Sequence, residues 1–200
     1  NGSNGNLGGS NGPLRGFKGT TWEGGMRLPF IIRWPGQIPA GTISGSLATS
    51  LDLLPTLAHI TDSDLQSNNL IDGENIEDVI FQQQDVSSHR PFFYYLQDTL
   101  CAVRYGRWKL HVARAEHTRN RTGGYRSTSP LTTDTVLELY DLLSDIHEDH
   151  NVAESNKEVV ADLLEMINAC RTDLGDGHTQ TQGANMRLPR RVSDPVALCV

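Results

Sequence analysis

The chain has 200 residues, 37% hydrophobic and 20% charged, with a formal net charge of −7. That balance belongs to a chain that buries a core and excludes a disordered one. The negative charge argues against nucleic acid as a main partner, since neutralising phosphates needs a basic face. No apolar run approaches the roughly 18 residues needed to span a bilayer. Three cysteines (Cys101, Cys170 and Cys199) are too few and too scattered for a disulfide scaffold or a zinc finger. An odd count leaves at least one thiol free or paired outside these residues.

Asn and Gly dominate the first twelve residues, which open without Met and without the basic start and apolar core of a signal peptide. They run directly into a block of Gly, Lys, Thr and Trp, so the chain reads as beginning inside a loop. Residues 1–27 are expected to be irregular, punctuated by Gly-Gly at 8–9 and 24–25. The run Leu28-Pro-Phe-Ile-Ile-Arg-Trp34 reads as a strand buried on both faces, closed by Pro35-Gly36. Leu51, Leu54, Leu57 and Ala58 fall at helical spacing, with Leu53 and Ile60 widening a stripe expected to pack in the core. Pro55 must lie in the first turn of that helix, which favours Asp52 over Ser50 as its N-cap.

Residues 62–90 are polar, acidic and glutamine-rich, and read as surface and a boundary. Strand-like segments follow at 92–96 and 101–105; Gly106 turns the chain into 107–112, which alternates and is expected to pair back as a hairpin. A long polar loop over 114–134 precedes another strand at 136–140. The last helix is the best marked: Ser155-x-x-Glu158 has the form of a capping box, followed by Val159, Val160, Leu163, Leu164, Ile167 and Cys170 on one face. From about 172 the tail is polar and irregular.

The block Gly16-Phe-Lys18-Gly-Thr-Thr-Trp-Glu-Gly-Gly25 carries most of the chemistry. A lysine flanked by glycines on a loop brings its ammonium close to an anion, and small neighbours let backbone N–H groups approach the same anion. The bland alternative is a solvated loop lysine. The block is not a phosphate-binding P-loop, because the Gly-Lys-Ser/Thr spacing and the following helix are both absent.

Leu14-Arg-Gly-Phe-Lys18-Gly-Thr-Thr-Trp-Glu-Gly-Gly25, with Arg27 and Trp34-Pro-Gly36, resembles the type I sulfatases, the arylsulfatases among them. Ser50-Leu-Asp-Leu-Leu-Pro-Thr-Leu57, Ala102-Val-Arg-x-Gly-x-x-Lys109 and Leu139-Tyr-Asp-Leu142 are similar to later segments of that family, and His178-Thr-Gln-Thr181 is similar to its steryl sulfatase branch. The resemblance implies an α/β fold: the C-terminal part of an alkaline-phosphatase-like sulfatase. Residues 1–90 would finish the large catalytic α/β domain, and 91–200 would form a small α+β domain, an antiparallel sheet with a packed C-terminal helix and a tail.

The resemblance further implies hydrolysis of a sulfate ester to an alcohol or phenol and inorganic sulfate, by a formylglycine made from a Cys or Ser and a calcium ion held by oxygen ligands. Lys18 falls on the family's sulfate-contacting lysine and would be catalytic and substrate-binding. Asn1 would give its side-chain oxygen to calcium as part of a loop whose aspartate is missing; it also fits a glycosylation sequon, Asn1-Gly-Ser3, or a disordered terminus. The formylglycine signature, Cys or Ser followed by x-Pro-x-Arg, occurs nowhere in these residues. The stretch therefore reads as half a site, inactive alone, with the reactive centre expected upstream. Two alternatives stand beside this one: a catalytically inactive sulfatase-like binding protein, and a phosphoesterase of the same superfamily.

The remaining polar groups are weaker. His147-Glu-Asp-His150 is not a zinc-protease motif and is expected to be a structural turn; Asp173, Asp176 and Gly177 lack the spacing of a calcium-binding EF-hand loop. His111 alternates with Lys109 on a predicted strand and is expected to be packed or hydrogen-bonded. His117, in the following loop, is a candidate for the substrate-binding rim. Asn120-Arg-Thr122 is a glycosylation sequon, suited to the secretory-pathway location the resemblance implies: lysosome, endoplasmic reticulum or extracellular space.

Overall fold

The computed structural model describes residues 2–3, 8–65, 70–81, 90–113 and 137–187, and the backbone alone of 117–119 and 125–127. Strands β1 (Phe92–Leu96), β2 (Thr99–Tyr105), β3 (Trp108–His111) and β6 (Glu138–Asp141) form an antiparallel sheet in the order β1-β2-β3-β6. The β2–β3 hairpin turns at Gly106, whose φ of +57° suits a residue without Cβ. Within the expected polar loop, β4 (His117–Arg119) and β5 (Tyr125–Ser127) pair as a separate two-stranded ribbon, with His117 opposite Ser127. That pairing was not visible in the sequence because three-residue strands carry too little periodicity.

The sheet has two unlike faces. Phe93, Val103, Leu110 and Leu139 are in register across four strands and meet Leu163, Ile167 and Cys170 of helix α4 (Lys157–Leu174). This is the apolar core, and α4 supplies it at the spacing read from the sequence. The expected capping box does not form. The helix starts two residues after Ser155, Asn156 stands at the N-cap without a side-chain cap bond, and Ser155 closes a preceding 3-10 turn, Ala153–Ser155. The opposite face carries Tyr94, Arg104, Lys109, His111 and Tyr140, an unusual set for a buried sheet surface.

Earlier in the chain the regular elements are short helices: α1 (Glu23–Met26), α2 (Leu53–Ile60) and α3 (Glu77–Ile80). Two expectations need correction. Residues 28–34 are irregular, and Phe30 and Ile31 are 61% and 90% exposed. A strand exists only as paired backbone, and no described segment pairs with this one. The Leu51, Leu54 and Leu57 stripe faces outward; the buried side of α2 is instead Asp52, Thr56 and Ala58.

Asp52 does mark the start of α2, but its carboxylate does not cap that helix. It accepts from Thr49 N–H at 2.6 Å and Glu74 N–H at 2.9 Å and pairs with Arg90. Thr56 accepts from Ile76 N–H at 3.0 Å. These bonds hold 74–76 against the helix, so polar satisfaction decides which side is covered.

After α4 the chain turns at Gly175, with φ +85°, and Asp176 folds inward. Its carboxylate is 2% exposed and accepts from Arg171 Nε at 2.9 Å, His178 N–H at 3.0 Å and Leu100 N–H at 3.3 Å. Arg187 then pairs with Asp72 and donates to the Leu70 carbonyl, so the described tail returns to the earlier part of the chain.

Ile167, fully buried where α4 crosses the sheet, gives a direct test of this core. Ile167→Ala is expected to lower unfolding stability by about 2–5 kcal/mol, measured by denaturant titration. A change under about 0.5 kcal/mol, the level of an ordinary surface substitution, would contradict the packing described.

Candidate active-site loop and its buried ionic support

Lys18 occupies the second position of a tight turn, Phe17-Lys18-Gly19-Thr20, closed by Thr20 N–H donating to the Phe17 carbonyl at 3.0 Å. Gly19 takes φ +90°, as the third position of a type II turn requires. The Thr20 hydroxyl donates to the Phe17 carbonyl at 2.8 Å and accepts from Phe17 N–H at 3.2 Å. Lys18 is thereby carried at the tip of a braced turn, with its side chain exposed. Its own N–H donates to the Ser3 carbonyl at 2.9 Å, and Gly2 N–H donates to the Gly25 carbonyl at 3.1 Å. The start of the chain is thus stitched to the lysine loop.

Behind the tip, Thr20 through Gly25 are buried. A Cβ at Gly24 would lie 2.5 Å from the Arg15 carbonyl oxygen, and one at Gly25 would lie 2.3 Å from that of Thr20. These glycines permit close approach of the chain to itself. The N–H groups of Phe17, Lys18, Thr20, Glu23, Gly24 and Gly25 are all spent on bonds within the chain. These six groups are therefore committed to the fold, and the Lys18 side chain is the exposed cation at the turn.

Glu23 fastens the loop to the polar face of the sheet. Its carboxylate is 1% exposed; Oε1 accepts from Tyr94 OH at 2.8 Å and Lys109 Nζ at 3.0 Å, and Oε2 from Arg104 Nη1 at 3.0 Å. Lys109, itself 0% exposed, also donates to the Thr21 carbonyl at 2.8 Å and pairs with Glu148 Oε1 at 2.9 Å. Its three N–H donors thus have three acceptors. The second oxygen of Glu148 accepts from Glu23 N–H at 2.8 Å. Two carboxylates and two cations neutralise one another in a region without solvent, a condition for burying charge at all.

Trp22 completes the contact by packing on His111, with ring centroids 4.5 Å apart, and edge-on against Tyr140 at 5.8 Å. The Arg15 guanidinium lies 3.9 Å from its ring centroid. His111 is buried and donates through Nε2 to Glu148 Oε1 at 3.1 Å, while Nδ1 has no partner among the described residues. Burial, aided by the nearby Lys109, pushes the His111 pKa below its ordinary value against the opposing hydrogen bond to Glu148. The neutral ring leaves a bare lone pair on Nδ1, a smaller loss than an orphaned N–H. For Glu23, burial would raise the carboxyl, but Lys109, Arg104 and the hydrogen bonds from Tyr94 and Lys109 outweigh it and hold the group below the usual carboxylate range.

The residues expected at a site do not all fall within the described structure. Lys18 does, at the turn tip. The side chain of His117 and all of Asn1, Asn120 and Cys199 lie outside the described residues. Cys101 and Cys170 are free and buried, and burial pushes the Cys101 thiol up to about 12. His147–His150 is a turn, and the described residues hold no group of three potential metal-ligating side chains. Within that turn, however, the fully buried Glu148 sits at φ +57°. Glu23 and Glu148 were missed by sequence reasoning. The available signal was Lys109 and His111 on one face of a strand whose other face is apolar, since a buried cation implies a buried carboxylate elsewhere.

Comparison with known proteins gives two successive family matches: the sulfatase model covers residues 3–63, and the model described as the C-terminal region of aryl-sulfatase covers 87–197. The chain is 41% identical over 108 residues to an arylsulfatase of Hemicentrotus pulcherrimus, covering 54% of this chain and 19% of that protein. It is 35% identical over 167 residues to arylsulfatase A of Bos taurus, covering 80% of this chain and 32% of that one. A solved structure from a study of glycosaminoglycan metabolism by Bacteroides thetaiotaomicron superposes with a TM-score of 0.64 at 28% identity, over 80% of this chain and 32% of that chain. The chain thus spans a fifth to a third of the length of these relatives.

Two outcomes test the ionic support. Lys109→Met leaves two buried carboxylates short of a cation, and is expected to lower stability by about 3–5 kcal/mol in denaturant unfolding; an unchanged midpoint would refute the pairing. The pH dependence follows from the two depressed groups. The unfolded chain holds protons that folded His111 and Glu23 release, so stability is lost as pH falls, first through about 6.5 for the histidine and then below about 4.5 for the glutamate. Thermal melts from pH 8 to 4 are expected to show that order, with the first limb reduced in His111→Gln. Identical profiles for the two proteins would contradict the assignment.

Proposed function

The chain belongs to the sulfatase family, and on that premise we propose that the protein hydrolyses a sulfate ester to an alcohol or phenol and inorganic sulfate, with this chain supplying the C-terminal portion of the enzyme. The observation that carries the reading is the exposed Lys18 ammonium at the tip of a turn braced by Thr20 and tied through its own N–H to Ser3. A positive group held in place before charge develops on a sulfuryl group lowers the barrier without reorganisation during the reaction. The two family matches, over 3–63 and 87–197, support a division into the end of the large domain, residues 1–90, and the small domain, residues 91–200.

The chain's contribution to the metal would be narrow. Calcium prefers oxygen ligands, and Asn1 is the residue that the family resemblance assigns to it. The bonds from Gly2 N–H to the Gly25 carbonyl and from Lys18 N–H to the Ser3 carbonyl support this reading, because they tie the residues after Asn1 to the lysine loop. Calcium, when bound, supplies positive charge opposite sulfate oxygens, and formylglycine supplies the nucleophile. The formylglycine signature is not among these 200 residues. His117 would contribute to the substrate rim from β4. The Asn120-Arg-Thr122 sequon is consistent with glycosylation and a secretory-pathway location.

In the intact enzyme, Lys18→Ala is expected to raise the barrier by on the order of 2–4 kcal/mol, seen mainly in kcat with an aryl sulfate substrate. A near-normal rate would remove Lys18 from the mechanism.

A further inference from the structure

We propose that Glu148, together with Arg15 and Lys109, is a positioning device that fixes where the Lys18 turn stands, through bonds to the main chain on either side of Trp22. The inference rests on the sulfate-binding reading of Lys18 and adds residues that do not touch substrate.

The geometry is specific. Glu148 Oε2 accepts from Glu23 N–H at 2.8 Å, and Lys109 Nζ donates to the Thr21 carbonyl at 2.8 Å. The two side chains are joined to each other at 2.9 Å. Opposite charges thus grip the main-chain groups immediately before and after Trp22. Arg15 closes the arrangement from outside, donating to the Glu148 carbonyl at 2.7 Å while its guanidinium covers the Trp22 ring. Thr20 closes the Lys18 turn and Thr21 directly follows it, so little chain intervenes in which a displacement could be absorbed.

Stability alone does not account for this design. Replacing a buried ion pair by well-packed apolar groups is often neutral or stabilising, and the Trp22 cluster already provides apolar packing. What charged, directional bonds to main chain add is a single register for the loop. Glu148 also stands at φ +57°, a conformation that costs a non-glycine residue free energy and persists only where its surroundings enforce it. Displacing a reacting group by about 1 Å can lower a rate by 10²-fold.

The test is a double-mutant cycle in the intact enzyme with 4-nitrophenyl sulfate: Lys18→Ala, Glu148→Gln and Arg15→Gln, singly and with each of the latter two combined with Lys18→Ala. Glu148→Gln is expected to reduce kcat by about 10- to 100-fold with a smaller change in KM, and Arg15→Gln by several-fold. Both losses are expected to vanish to within about twofold in the Lys18→Ala background, because a positioning residue has nothing left to position. Losses that multiply undiminished with Lys18→Ala, or an unchanged kcat in both single variants, overturn the positioning role while leaving Lys18 in the mechanism. A normal rate for Lys18→Ala itself overturns the sulfate-binding reading, and the positioning role with it. Should Glu148→Gln fail to fold, the Arg15→Gln cycle decides, since Arg15 is exposed and its replacement leaves the carboxylate's partners intact.

Discussion

A buried lysine between two buried glutamates holds the two parts of this chain together. Lys109 has no access to solvent, and Glu23 and Glu148 have almost none, so each is tolerable only because the others are present. The three come from distant stretches: the lysine loop, the third strand of the sheet and the turn after the last strand. Their pairing, balanced by Arg104 on Glu23, is therefore a tertiary contact in the strict sense. It sets the face on which the loop docks, and Trp22, Arg104, Tyr94 and His111 arrange themselves around it.

That contact explains why the small sheet is built with two different faces. Toward α4 it is a conventional apolar layer, with Phe93, Val103, Leu110 and Leu139 in register beneath Leu163 and Ile167. Toward the loop it offers cations and hydroxyls. Hydrophobic burial on one side secures the strands and helix, and directional polar bonds on the other fix the position of what is placed on them. A second ionic junction, Asp52 with Arg90, and a third, Arg187 with Asp72, tie the 49–76 region to the sheet's leading edge and to the tail. Each joins residues far apart in sequence, and each leaves the long apolar side chains of Leu51, Leu54 and Leu57 outside.

Lys18 was legible because its surroundings are unusual in sequence: glycine on both sides of a short segment, then threonines, a tryptophan and two more glycines. The reason for those glycines was not legible. At Gly24 and Gly25 the chain's own carbonyls stand where a Cβ would be, a tertiary contact that the Gly-Gly pair does not announce. Glu148 was hidden for a different reason. It lies in a polar, histidine-flanked turn that has every local mark of a solvated surface, and only the return of that turn over the sheet places it inside.

Local pattern determined what depends on neighbours a few residues away: the strands around Gly106, the long α4 with its apolar face, the start of α2 at Asp52, and the motif that resembles the sulfatases. The first three follow from side-chain periodicity and turn chemistry, and the last is a match of neighbouring residues to a family; all are properties of contiguous sequence. Tertiary structure decided the rest: that residues 28–34 are not a strand, that α2 turns its polar side inward, and that three charges meet around Trp22. A strand needs a partner's hydrogen bonds and a buried charge needs its counter-charge. Neither partner is adjacent in sequence, so only the folded chain could say where they are.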